Sequence, residues 1–186
     1  MNIGFAMCGS FCTYEAAFQA MEDLAKAHTV IPIFSFSSQR VDSRFGRAED
    51  HLRRAEAICG RKVITTIGDA EPIGPKKLLD VLVIAPCTGN TLAKLAHSIA
   101  DTPVTMAAKS HLRNGRPVVL AIASNDALAG AAENIGKLLG RRHYYFVPFG
   151  QDDPQNKPTS MIADYTKIPQ ALCKALEGKQ VQPILL

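Results

Sequence analysis

The sequence contains no tryptophan, and aromatic residues make up only 6% of it, so a core must come mainly from aliphatic side chains. It has no apolar run of the ~20 residues that a membrane-spanning helix requires, so no membrane association is expected. The opening stretch Met1–Cys12 lacks the basic segment of a signal peptide and its apolar run breaks at Gly9-Ser10. A cytoplasmic protein is the expectation. Five cysteines (Cys8, Cys12, Cys59, Cys87 and Cys173) form no CxxC pair, which argues against a zinc site and against a disulfide framework. No His/Asp/Glu spacing suits a metal, and none is expected. Neither GxGxxG nor GxxxxGK[ST] occurs, so the two commonest nucleotide fingerprints are missing. Repeats and low-complexity segments are absent as well.

The net charge of +4 is not concentrated. Its densest basic group, Arg40, Arg44, Arg47, Arg53 and Arg54, alternates with Asp42, Glu49, Asp50 and Glu56. That mixture suits a solvated helix face or an interface, and no nucleic-acid partner is expected.

What the 186 residues do contain is short apolar runs alternating with helix-like segments. This pattern predicts one α/β domain over residues 1–186, a doubly wound, Rossmann-like or flavodoxin-like parallel sheet with helices on both faces. Strands are predicted at Asn2–Met7, Thr29–Phe34, Val63–Thr66, Val81–Ala85, Pro117–Ala123 and Tyr144–Val147. Val81–Ala85 is apolar at every position, as a strand buried on both faces should be. Pro86 is expected to stop that strand, with a helix starting near Asn90 or Thr91.

Helices are predicted from about Thr13 to Ala27, from after Gly46 to Gly60, from Thr102-Pro103 to Asn114-Gly115, and over Tyr165–Leu176. Another is expected to be capped within Ser124-Asn125-Asp126 and to end at Gly140. Phe149–Thr159 reads as an extended loop, acting as a lid or as a partner contact.

Ligands of such sheets bind outside the carboxyl ends of the strands. Two turns stand there: Gly9-Ser10, and Pro86-Cys87-Thr88-Gly89-Asn90-Thr91. Gly9 allows close backbone approach, Ser10 can donate to an anionic oxygen, and a helix N-terminus adds free N–H groups that favour phosphate. Ser124-Asn125-Asp126 makes a third polar strand tip. Cys87 near a helix start is open to a lowered pKa, although no base accompanies it. His28, His51, His97, His111 and His143 fall on predicted helices or their ends and read as surface or boundary residues. Arg40, Arg44 and Arg47 read either as a carboxylate clamp or as surface ion pairs.

At these residues the chain resembles a known family. Gly9-Ser10 and the run Pro86 to Lys94 are similar to two motifs of the homo-oligomeric flavin-containing Cys decarboxylase flavoproteins. Nearly the whole chain resembles that family's dipicolinate synthase branch of B-type chains, most specifically at Ala70–Pro75, Ala85–Ala96, Val147–Pro154 and Gly178–Pro183. The resemblance implies an FMN site lined by Gly9, Ser10, Ser37, Pro86, Thr88, Gly89, Asn90, Thr91 and Asn125. Gly9 and Ser10 would face the phosphate, and Asn90, the candidate catalytic residue, would lie near the ring or substrate. It further implies a dehydrogenase-like A subunit that brings NAD(P), a dicarboxylate substrate at the dihydrodipicolinate level, a homo-oligomer, and action in the mother cell of a sporulating bacterium.

The decarboxylases of the family carry a catalytic histidine, and here only His51 lies in the matching region, outside its expected context. Their Pro-Ala-Met-Asn motif is replaced by Ala123-Ser124-Asn125-Asp126, which keeps only Asn125. Three roles follow as alternatives: an oxidoreductase subunit, a non-catalytic binding or scaffolding subunit, and a stand-alone flavin-dependent decarboxylase.

Overall fold

Strand β1 (Asn2–Met7) lies between β2 (Thr29–Phe34) and β3 (Val81–Cys87) and is parallel to both, so the first strand of the chain is internal to the sheet. A computed structural model describes all residues, 1–186. Beyond β3 come β4 (Val118–Ser124) and β5 (Tyr144–Phe146), again parallel. The order β2-β1-β3-β4-β5 reverses direction between β1 and β3, the switch point of a flavodoxin-like sheet. Short strands β6 (Phe149–Gly150) and β7 (Met161–Ala163) form an antiparallel extension, in which β7 pairs with Ala123 and Ser124 at the tip of β4.

All seven residues of β3 are buried, and one continuous core of 50 buried residues surrounds the sheet. Its side chains are mostly Ile, Leu, Val and Ala, as the scarcity of aromatics requires.

The helices are α1 (Tyr14–Ala25), α2 (Phe36–Arg40), α3 (Ala48–Cys59), α4 (Ile67–Ala70), α5 (Gly89–Ala96), α6 (Pro103–Leu112), α7 (Ala132–Leu139) and α8 (Ile168–Leu176). They form two groups: α1 packs on α3 and on the turn before α8, while α4 meets α6 and α5 meets α6 and α7. The ends follow local chemistry. Thr102 and Thr105 make a reciprocal capping box with Pro103 at the first helical position of α6. Gly60, at φ 64°, takes the left-handed conformation that closes α3.

Several expectations need correction. Val63–Thr66 is not a strand, because only Ile64 bridges to Ile33, and α4 begins directly after Thr66. Pro86 does not stop β3. The strand runs through a cis Ala85–Pro86 bond to Cys87, and its register against β4 shifts between Ile84 and Cys87. A proline is tolerated where a ladder is already irregular, since no N–H is needed there. Ser124-Asn125-Asp126 caps no helix. A series of turns follows, in which the Asp126 carbonyl accepts from Ala129 and Ala131, and α7 starts only at Ala132. The segment from Phe149 is not wholly loop, since it contributes β6, and the Gly46-side loop holds the short α2. The C-terminal residues pack back on the chain: the Phe149 N–H donates to the Ile184 carbonyl, and its carbonyl accepts from the Leu186 N–H.

Candidate functional site

At the switch point the connections from β1 and β3 leave in opposite directions, and a cavity of about 950 Å³ opens over the carboxyl ends of these strands. Four segments wall it. Gly9–Thr13 comes from the β1–α1 turn, Ser43–Phe45 from the loop before α3, Thr88–Asn90 from the start of α5, and Ala123–Asp126 from the tip of β4. The β6–β7 hairpin closes the remaining side with Asp152 and residues 156–162.

Bonds within and between the walls hold three of them in place. Ser10 folds its turn by donating its N–H to the Cys8 carbonyl (2.9 Å) and by accepting at its own carbonyl from the Thr13 amide and hydroxyl. Tyr165 then donates to the Thr13 hydroxyl (3.1 Å), tying this turn to the segment before α8. Thr88 caps α5 by accepting from the Thr91 amide. Ser124 donates to the Asp126 carboxylate, and Thr159 donates to the Asn125 carbonyl at 2.7 Å, joining the β4 tip to the hairpin.

The donors left over point to the chemistry of a guest. The Gly9 N–H has no acceptor in the protein. The carboxamides of Asn90 and Asn125 make no hydrogen bond within the chain, and the Ser10 hydroxyl touches only the Cys12 sulfur, at 3.8 Å. Glycine is needed at one wall for space: a Cβ on Gly89 would lie 2.8 Å from both Asp126 Oδ1 and Ser124 Oγ. On Gly9 it would stand 3.1 Å from the Ser37 Cβ. Unpaired amide, hydroxyl and carboxamide groups around an open cavity suit a polar, anion-bearing organic ligand.

Charge is balanced rather than uniformly positive. Arg44 and Lys157 are the cations of the wall, and Asp126 and Asp152 its acids. Lys157 pairs with Asp152 at 3.4 Å, whereas Arg44 has no carboxylate partner and lies over the Phe45 ring. Hydrogen bonding from Ser160, and then Lys157, holds the Asp152 carboxyl below its usual range. The other arginines of the basic segment behave as surface pairs: Arg47 with Glu49 and Asp50, Arg53 with Glu49, and Arg54 with Glu15 and Glu22.

Of the residues singled out in the sequence, Gly9, Ser10, Thr88, Gly89, Asn90 and Asn125 meet on this cavity. Three do not reach its wall. Pro86 is buried inside β3, Ser37 is exposed on α2 just behind Gly9, and Thr91 is buried with its hydroxyl turned to Cys8. Cys87 is corrected outright: it is fully buried in the strand, and burial pushes its thiol well above the ordinary value.

Two histidines expected at the surface are also buried. His111 is 0% exposed, and His51 packs against Tyr14 and Phe18 with its Nε2 unpaired beside Gly46. No histidine lines the cavity. Residues 156–159 belong to the extended loop read as a lid or partner contact, whereas 160–162 were missed, although the apolar Met161-Ile162-Ala163 between Ser160 and Asp164 carries a short-strand signal. No group of three or more His, Cys, Asp or Glu residues is placed to hold a metal. No helix is long and apolar enough to cross a membrane.

Comparison with known proteins finds relatives along the whole chain. The model of the Flavoprotein family matches residues 1–167. The B subunit of dipicolinate synthase from Bacillus subtilis (strain 168) is 46% identical over 186 residues, covering 100% of this chain and 93% of the relative. The crystal structure of the dipicolinate synthase B subunit from Bacillus halodurans C superposes with a TM-score of 0.91 at 41% identity, covering 100% and 95% of the two chains. The FMN-dependent cysteine decarboxylase SpaF superposes with a TM-score of 0.66 at 25% identity, over 94% of this chain and 97% of its own. The chain therefore belongs to the Flavoprotein family, where it groups with the B subunits of dipicolinate synthases.

Proposed function

We propose that this chain is the B subunit of a dipicolinate synthase, binding FMN at the strand-tip cavity and acting with a dehydrogenase-like A subunit. The observation that carries the proposal is the 46% identity to the B subunit of a dipicolinate synthase, which extends over the whole chain. The reaction would convert a dihydrodipicolinate-level dicarboxylate to the aromatic pyridine dicarboxylate, removing two electrons and two protons from the ring. NAD(P) held by the A subunit would accept a hydride. The setting would be the cytoplasm of the mother cell during sporulation, with several copies of this chain joined in a homo-oligomer.

The donor set fits a flavin mononucleotide. Gly9 N–H and the Ser10 hydroxyl, next to the start of a helical turn, would hold the phosphate. Asn90 and Asn125, whose carboxamides have no partner in the protein, would face the ring and substrate, with Thr88 and Gly89 forming the wall between them. Bound flavin would supply a two-electron relay between the substrate and the NAD(P) of the A subunit, the second ring proton going to solvent. The unpaired Arg44 would receive a substrate carboxylate through its forked donors. The hairpin residues 156–162 would limit water access.

One observation favours a second reading, a binding or scaffolding role without chemistry of its own. With His51 turned into the core, no histidine serves the cavity as general acid or base. The same fact disfavours a stand-alone decarboxylase.

The visible spectrum of the purified protein, followed by assays with and without the A subunit, separates these readings. Flavin absorbance, and activity that requires both subunits and falls at least tenfold in Ser10→Tyr and Asn90→Leu, is the expected result. A colourless chain that takes up no added FMN yet is needed by its partner would leave the scaffolding role.

A further inference from the structure

Helix α5 starts at the strand-tip cavity and, about 12 Å further along its axis, ends at a second cavity of about 350 Å³. This one lies against the amino-terminal edge of the sheet, where α5 and α6 end and β5 begins. Leu95, Ile99 and Leu112 supply an apolar lining, and Ile99 remains 47% exposed beside it.

The charged part of the lining is wholly cationic. Lys109 and Arg113 stand four residues apart along α6 and its end, so they share one face. Neither has a carboxylate partner or another hydrogen bond from its side chain anywhere in the protein. Two like charges at this spacing repel each other. Arg141 is the third cation. It is held in place by donating to the Leu95 carbonyl (3.0 Å), the Ala96 carbonyl (2.7 Å) and the Ser98 hydroxyl (3.4 Å). No acidic residue lines the cavity, and the nearby Asp101 is already paired with Lys94 at 2.8 Å. The dipole at the end of α6 explains why a single cation is favourable there. It does not explain a second unpaired cation one turn away, and with Arg141 held by the α5 carbonyls three cations border one apolar hollow without a carboxylate among them.

We propose that this cavity is a second ligand site, for a small carboxylate carried on an aromatic or branched apolar body. The volume falls at the low end of the ~300–1,000 Å³ usual for ligand pockets and admits a single ring with its carboxylates. The apolar body would cover Leu95, Ile99 and Leu112, and the carboxylate would sit among Lys109, Arg113 and Arg141. The site stands independently of flavin and of any partner chain.

The test is titration of the full-length protein with benzoate, read by calorimetry and by ligand-observed NMR, with acetate as the charge without the apolar body. Saturable benzoate binding is expected, at least tenfold tighter than acetate. It should weaken three- to tenfold in Lys109→Gln or Arg113→Gln and vanish in Ile99→Glu, which places a carboxylate at the exposed rim. Ser10→Tyr, altered only at the strand-tip cavity, should bind benzoate as the natural protein does. Unchanged melting temperatures of the variants exclude misfolding as the cause of any loss. No saturable binding, equal binding of acetate, or benzoate binding that survives both the cation substitutions and Ile99→Glu would overturn the proposal. So would its loss in Ser10→Tyr, which would place the benzoate at the other cavity.

Discussion

The hydroxyl of Thr91 donates to the buried thiol of Cys8 at 3.2 Å, joining the first turn of α5 to the residue that precedes Gly9-Ser10. The two strand-tip turns are thus bonded to each other behind the cavity. Thr91 acts through this tie and through its bond with Thr88, and it does not line the ligand space. Replacing it by valine removes a buried hydrogen bond, for an expected loss of about 1 kcal/mol in stability. Urea denaturation of Thr91→Val checks the magnitude. A variant that loses FMN uptake at unchanged stability would instead put Thr91 in contact with the ligand.

Two glycines separate the needs of the site from those of the fold. A Cβ on Gly89 would meet only the ends of the Ser124 and Asp126 side chains, which can move. A Cβ on Gly74 would approach the Ser110 backbone carbonyl oxygen to 2.6 Å, and backbone in a packed core yields little. Gly89→Ala should therefore fold within about 1 kcal/mol of the natural protein while displacing the β4 tip, with ligand uptake reduced tenfold or more. Gly74→Ala should cost about 1–3 kcal/mol and leave uptake unchanged in the folded fraction. Thermal melts and FMN titrations of the two variants provide the comparison.

How much of this could be read from the sequence depended on range. The strands β1 and β2 were legible to the residue, because uninterrupted apolar runs ended at sharp polar breaks. The candidate site's location followed from β1 and β3, since Gly9-Ser10 and Thr88–Asn90 are simply what comes after them. What escaped was set by long-range pairing. Residues 63–66 have the composition of a strand, yet only Ile64 finds a partner, so its neighbours have nothing to extend along. Met161–Ala163 is a strand because the tip of β4 and the distant β6 offer it partners on either side. Likewise His111 carries no mark of burial in its local sequence, and the Pro117 carbonyl that satisfies it is contributed by the approach to the next strand.

The cysteines should divide by depth. Cys12 is exposed and lines the strand-tip cavity, and Cys173 is exposed elsewhere. Burial pushes the Cys8 thiol up to about 11, and Cys87 is raised as well. Since the thiolate is the reacting species, iodoacetamide at neutral pH should label Cys12 and Cys173 and spare Cys8 and Cys87 in the folded protein. Peptide mass spectrometry reads the sites. FMN at saturating concentration should slow labelling of Cys12 and leave Cys173 unaffected. Equal protection of both would place the nucleotide elsewhere or reflect a general tightening of the fold.

His111 gives stability a defined dependence on pH. Its Nε2 lies 3.1 Å from the Pro117 carbonyl oxygen, which can only accept, so the proton of the neutral ring sits on Nε2 and Nδ1 is left buried without a partner. Burial is the main reason its pKa falls from 6.5 to about 4. The unfolded chain therefore binds a proton between these values that the folded protein refuses, and stability rises with pH across that window. The contribution is fully present above pH 6.5 and is lost as pH falls toward 4, worth up to about 3 kcal/mol at ~1.36 kcal/mol per pH unit. In His111→Gln the side-chain amide can keep a donor near the Pro117 carbonyl but cannot take up the proton. Urea midpoints measured at pH 7 and pH 4.5 should drop further in the natural protein than in His111→Gln. Parallel losses in the two would show that His111 does not titrate in this range and that the surface carboxylates alone set the acid sensitivity.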